Sequence, residues 1–325
     1  MPANSAVNYN TNRYITINYN TYKKLSHANK KKLIAHESYH FYQDILGYKM
    51  VASNNIHLDY GEGRILLRCE LNALHCALKG DASSLKDALH IRVYRQNKYQ
   101  QNNEAEFELN EGLAEFTSII YTCKDIEEIK STLLNSIKNN NSIGFTNYFA
   151  YITGSIYAYL SYLKYPEWKN HINDDISNML KSSLNIPTNI CKIDIDILNK
   201  YNYIKIQNEE SNIVNTYNLT NTLKGDNCIK ISNNNLNIIF NPNDRVIEVN
   251  DSIVSLNNIQ LKSDWGILKA YKGLMRSKDW SYFVLPPPVN SKKNKITGNY
   301  YELILNEDFK LTKEGKIWKI TNLKN

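Results

Sequence analysis

Apolar residues recur at helical spacing through the first two thirds of this chain and at strand spacing through the last third. A helix is predicted to open at Ser26, whose hydroxyl suits an N-cap, and to stop near Gly47. Others are predicted over 62–78, where Ile65, Leu66, Cys69, Leu74, Ala77 and Leu78 keep helical phase, over 85–98, and from about Glu111 to Cys123. Phe145 to Leu163 is apolar on nearly all sides, the signature of a central buried helix. Arg13 to Tyr19 alternates like a single strand, and residues 196–220 fit a polar helix or short strands equally.

The character changes at about Leu223. Ile229–Ile231, Ile238–Phe240, Val246–Val249, Ile253–Val254, Ile267–Leu268, Tyr282–Leu285 and Tyr301–Leu305 are short apolar runs between Asn, Asp and Gly turns. The predicted class is therefore α+β, a mainly helical domain over 1–222 followed by a smaller antiparallel β domain over 223–325. The second domain carries nothing with ligand spacing or nucleophile geometry, and its expected role is accessory.

Composition narrows the field without choosing a function. With 42% hydrophobic and 22% charged residues the 325-residue chain is a folded globular protein, not a disordered one. Its net charge of +7 is spread along the chain, and the one dense run, Lys30-Lys31-Lys32, reads as a solvated helix face, with no nucleic-acid partner expected. No stretch reaches the ~18 apolar residues of a membrane span. The first residues lack the basic and apolar regions of a signal peptide, so the expected location is cytoplasmic, or outside the cytoplasm if a signal has been trimmed. Five cysteines show no C-x-x-C spacing and are expected to be free thiols, mostly buried.

The chemistry lies in His36-Glu37-Ser38-Tyr39-His40, an H-E-x-x-H sequence inside the first long predicted helix. Histidines four apart share one helical face, with Cβ atoms about 6 Å apart, so both imidazoles reach one tetrahedral ion. Glu37 can then address a metal-bound water without being a ligand. A catalytic zinc needs a third protein ligand. The long motif with a downstream histidine is excluded, because Gln43 stands at its glycine and Leu46 at its third histidine. Asn110-Glu111-Gly112-Leu113-Ala114-Glu115 supplies a carboxylate instead: Glu111 as ligand, and Glu115, four residues on, as acceptor from the far nitrogen of a ligating histidine. Gly112 and Ala114 are small enough to let this helix approach the first closely.

The paired motifs resemble the gluzincin group of zinc metallopeptidases. The stretch 3–165, with Asn4–Val7, His57-Leu58-Asp59 and Glu62-Gly63-Arg64, is also similar to a set of uncharacterised bacterial predicted metallopeptidases. The resemblance implies a zincin-like catalytic domain, Zn2+ on His36, His40 and Glu111, Glu37 as general base, Glu115 behind a ligand, and a peptide or protein substrate. Such enzymes often add a tyrosine or histidine downstream to stabilise the oxyanion. Tyr151 and Tyr157 are the candidates here, with Tyr157 preferred. One departure stands out: a sheet with an edge strand normally precedes the active-site helix, and only 35 residues precede His36. The fold is either compact or begins upstream. The alternatives are a zinc-binding interaction protein with a vestigial peptidase site, and a hydrolase of non-peptide amides. The group His57, Asp59, Glu62 and Arg64 is read as a buried ion network in preference to an active-site wall.

Overall fold

The structure is a computed structural model, described here for residues 5–100, 103–138, 143–218, 227–241, 243–249 and 252–324. Two compact units divide the chain. One comprises Met1–His57, Leu66–Asn141 and Thr146–Tyr203, and the other Leu58–Ile65, Ser142–Phe145 and Ile204–Asn325. The expected boundary at 222/223 lies outside the described residues.

The first unit opens with an antiparallel hairpin, β1 (Ser5–Tyr9) and β2 (Asn12–Thr16), whose turn places Asn10 in the left-handed region. The expected strand therefore ends at Thr16, because Asn18 caps a helical turn, α1 (Tyr19–Tyr22). Next comes α2 (His27–Gln43), capped by Ser26, which accepts from the Asn29 amide. The helix stops through Gly47 at φ +85°, a conformation that favours glycine, with the Tyr48 amide donating to the Gln43 carbonyl. Arg13 of β2 fastens the hairpin to this end of α2, donating to the His40 carbonyl and pairing with Asp44.

The helical core follows as α3 (Gly61–Leu78), α4 (Ala82–Lys98), α5 (Glu104–Phe107), α6 (Leu113–Thr122), α7 (Ile126–Ile137) and α8 (Phe145–Lys164). α9 (Asn178–Ser183), α10 (Ile195–Lys200) and α11 (Tyr203–Asn218) follow, so residues 196–218 are helical apart from the turn at Tyr201 and Asn202. α8 matches its predicted span, and Phe149 to Ser161 are buried except for Tyr151. Between α5 and α6, Glu108–Gly112 form a π-turn, an element that no sequence period announced.

Fully buried charges organise this core. Arg92 pairs with Glu108 and with Asp175 at 3.2 Å, and Arg95 pairs with Glu104 at 2.7 Å and with Glu70. His57 meets Glu104 at 2.7 Å. Each buried charge thus has an opposite partner, the condition under which burial of ions is tolerated. Along the α5–α6 segment, Glu104 and Glu108 face this network and anchor the helix from behind. Of the group read as a buried ion network, His57, Asp59 and Arg64 are buried and bonded while Glu62 is half-buried, and Asp59 and Arg64 belong to the second unit. There Asp59 accepts from the Phe145 amide, and Arg64 and Arg245 share Glu210.

The second unit is β-rich. Its strands are β3 (Cys228–Ser232), β4 (Asn237–Phe240), β5 (Val246–Val249), β6 (Ser252–Ser255), β7 (Ile259–Ser263), β8 (Gly266–Ala270), β9 (Leu274–Ser277), β10 (Tyr282–Leu285), β11 (Asn290–Lys292), β12 (Lys295–Gly298), β13 (Tyr301–Leu305), β14 (Phe309–Glu314) and β15 (Ile317–Asn322). They form a seven-stranded sheet ordered β14-β15-β3-β10-β9-β6-β5 and a six-stranded sheet ordered β11-β12-β13-β8-β7-β4. Ile229, Phe283 and Leu285 of one sheet and Leu261, Leu268 and Leu303 of the other close a common core. Ile213 and Val214 of α11 pack against a second cluster of Ile247, Val254 and Met275. The pairing is antiparallel except for β15 on β3, which is parallel. The class is α+β, as predicted. Among the described residues no helix is long and apolar enough to cross a membrane. No disulfide joins the five cysteines among the described residues, and only Cys69 and Cys228 are buried.

Candidate metal centre

α2 and the π-turn–α6 segment pack against each other, and the Tyr39 hydroxyl donates to the Leu109 carbonyl at 2.9 Å, tying the helix of the histidines to the turn that carries Glu111. Across that contact His36 Nε2 and His40 Nε2 lie 3.2 Å apart, and Glu111 Oε2 lies 3.4 Å from the first and 3.6 Å from the second. Donors at about 2.0–2.1 Å on a tetrahedral ion are separated by roughly 3.3 Å. The three atoms thus already form one face of such a tetrahedron. His36, His40 and Glu111 could hold a metal ion, and the fourth corner is open to a water or a substrate.

Each ligand has support behind it. Glu115 Oε2 is 3.7 Å from His36 Nδ1, and its other oxygen pairs with Lys32 at 2.5 Å. Glu115 thus lies behind the His36 ring, at a distance longer than a hydrogen bond. His40 Nδ1 meets Gln43 Oε1 at 2.9 Å, a partner missed in the sequence although it sits three residues on, over the same helical face. Glu111 Oε1 accepts from Asn110 at 3.0 Å. Burial opposes a charged His36 ring, yet hydrogen bonds and negative charge from Glu111 and Glu115 prevail and raise its pKa to about 9. Burial likewise works against ionised Glu111, but hydrogen bonds from His36, His40 and Tyr151 hold its carboxyl far below the usual range. Glu37 is 6% exposed, and burial raises its carboxyl above the ordinary value while His36 and His40 pull it down. A carboxylate so raised, beside the ligands and not among them, is suited to accept and return a proton.

The two tyrosines part company. Tyr151 stacks on His36, with ring centroids 5.6 Å apart and planes within 3°, and its hydroxyl bonds to Glu111. Tyr157, the preferred candidate, is not brought to the cluster. It is fully buried, donates to Glu70 at 2.7 Å and lies under Arg92. Six positions along a helix turn a side chain by about 240°, which puts the two on different faces. Gly112 also differs from expectation. A Cβ there would lie 2.7 Å from the Gly154 Cα, so its small size admits α8, not α2. That crossing brings Tyr151, three residues before Gly154, alongside Glu111.

Compared with protein-family models, with curated proteins and with solved structures, the chain shows no match.

Proposed function

We propose that this protein is a zinc-dependent metallopeptidase. The observation that carries the proposal is the His36–His40–Glu111 donor triangle with the raised, buried Glu37 carboxyl beside it. Two imidazoles and one carboxylate, with one corner open, form the donor set of catalytic zinc. A zinc ion held there supplies water acidified to a pKa of about 7 and polarises a bound carbonyl. Glu37 takes the proton from the attacking water and delivers it to the leaving amine. Tyr151, whose hydroxyl already points into the cluster, is the donor suited to the oxyanion that forms at the attacked carbonyl. Lys32 keeps Glu115 charged and turned toward His36, which holds that ring in place.

A second reading, a metal-binding protein without turnover, draws on the hairpin β1–β2, the only sheet among the described residues of the first unit. Glu37→Gln separates the two. On the peptidase reading it keeps the metal and loses about 10²–10⁴-fold in peptide cleavage. If zinc-loaded wild-type and Glu37→Gln proteins cleave a peptide library equally, including not at all, the peptidase reading is wrong.

A further inference from the structure

We infer that Gln43 is a positioning residue of the metal centre: it fixes the tautomer of His40 and ties that ring to Glu111 through Asn110. The inference rests on the metal-centre reading above.

The orientation of the Gln43 amide follows from its neighbours. The side chain is fully buried and contacts three groups: the Lys49 carbonyl at 3.0 Å, Asn110 Oδ1 at 2.7 Å and His40 Nδ1 at 2.9 Å. A carbonyl oxygen only accepts, so the nitrogen of Gln43 must face Lys49, and the amide oxygen must face His40. That oxygen also only accepts. His40 Nδ1 therefore carries the ring proton, and a neutral ring has its lone pair on Nε2, the atom turned to His36 and Glu111. The second hydrogen on the Gln43 nitrogen goes to Asn110 Oδ1. Asn110 is left to donate through Nδ2, and it does so to Glu111 Oε1 at 3.0 Å and to the Val51 carbonyl at 3.4 Å. The donors then run one way, from His40 through Gln43 and Asn110 to Glu111. Glu111 Oε1 is occupied, and Oε2 is the oxygen that faces both imidazoles.

The chain is assembled by the end of α2. Gly47, at φ +85°, turns the backbone so that the Lys49 carbonyl returns over Gln43. The choice of an amide also has a physical reason. Glu37, Glu111 and Glu115 already bring three carboxyl groups to this cluster, and the far nitrogen of His36 already faces one of them. A fourth carboxylate at position 43 would face the Lys49 carbonyl and Asn110 Oδ1, two acceptors, with no proton to offer either. Glutamine satisfies all three neighbours without adding charge. The two ligating rings thus differ: His36 is backed by a charged carboxylate and His40 by a neutral amide.

The test uses the full chain with ¹⁵N-labelled histidine. Long-range proton–nitrogen correlations report which His40 nitrogen is protonated, and competition with a chromophoric chelator reports zinc affinity. The wild-type protein is expected to show His40 protonated at Nδ1. Gln43→Met, similar in shape but unable to hydrogen-bond, should mix the tautomers and weaken zinc binding about 10–100-fold. Gln43→Glu keeps the acceptor and should retain the Nδ1–H tautomer. His40 protonated at Nε2 in the wild-type protein overturns the inference even if Gln43→Met does not fold. So does unchanged zinc affinity in a folded Gln43→Met. A wild-type chain that takes up no zinc removes the metal-centre reading itself and the inference with it, an outcome distinct from the other two.

Discussion

Replacing Gly154 with alanine tests whether the close crossing of α8 and the π-turn builds the site. An added Cβ would lie 2.8 Å from the Gly112 Cα and 3.2 Å from the Glu108 Cβ. Carbon atoms rest at about 3.5–4.0 Å, so the two helices must part by roughly 0.8 Å, and the nearest atom is backbone that cannot rotate away. Overpacking of this kind costs about 1–3 kcal/mol, and the better helix propensity of alanine returns up to about 1 kcal/mol. The net expectation is a loss of about 1–2 kcal/mol, or roughly 2–8 °C in melting temperature. The same displacement draws Tyr151 away from Glu111 and His36, so metal affinity should fall along with stability. Calorimetry and chelator competition on the variant measure both. A Gly154→Ala protein with wild-type melting and wild-type metal affinity would refute the claim that this contact sets the geometry of the centre.

Other consequences follow from the same structure. Arg92→Met leaves Glu108 buried without its cation and Asp175 with Lys181 alone, and should cost about 3–5 kcal/mol, seen as a large fall in melting temperature, or loss of folded protein. Acid should also weaken the fold through Glu104. Burial alone would raise that carboxyl, but the charge of Arg95 and hydrogen bonds from His57 and Arg95 depress it to about 2. Because the folded value lies below the unfolded one, this stability is present above the ordinary pKa of 4.5 and is lost as pH falls toward about 2. Chemical unfolding midpoints between pH 6 and pH 2.5 should decline, and less so in Glu104→Gln (pH values roughly spanning that window). Metal binding also strengthens as pH rises. The metal-free His36 holds a proton up to about pH 9, so binding releases it, and apparent affinity should rise about tenfold per pH unit below that value. Calorimetry in buffers of different ionisation enthalpy counts the released proton.

Much of this arrangement was legible from residues near in sequence. Ser26, the H-E-x-x-H spacing and the apolar run of α8 are local signals, and those helices sit where they were expected. Glu111 and Glu115 were readable because residues four apart share one face of an α-helix. What local pattern does not carry is orientation. Tyr151 and Tyr157 share the same apolar helix, and only the packing of α8 at Gly112–Gly154 decides which one meets His36. The π-turn is invisible for a related reason: its register is set by Glu104 and Glu108 reaching Arg95 and Arg92 in other parts of the core. Gln43 was noted only as a residue that broke a longer motif. Its partner Asn110 lies 67 positions away, and no spacing rule links the two. In the second unit, β14 and β15 alternate with exposed lysines and half-buried threonines and offer no clean apolar run; the parallel partner of β15, β3, is nearly 90 residues distant in sequence.

The most direct measurement is the metal content of the purified full-length chain after loading with zinc and exhaustive dialysis, set beside Glu111→Ala treated in the same way. The account predicts about one zinc per wild-type chain and far less in the variant. Wild-type protein that retains no metal, or a Glu111→Ala protein that retains as much, would contradict it.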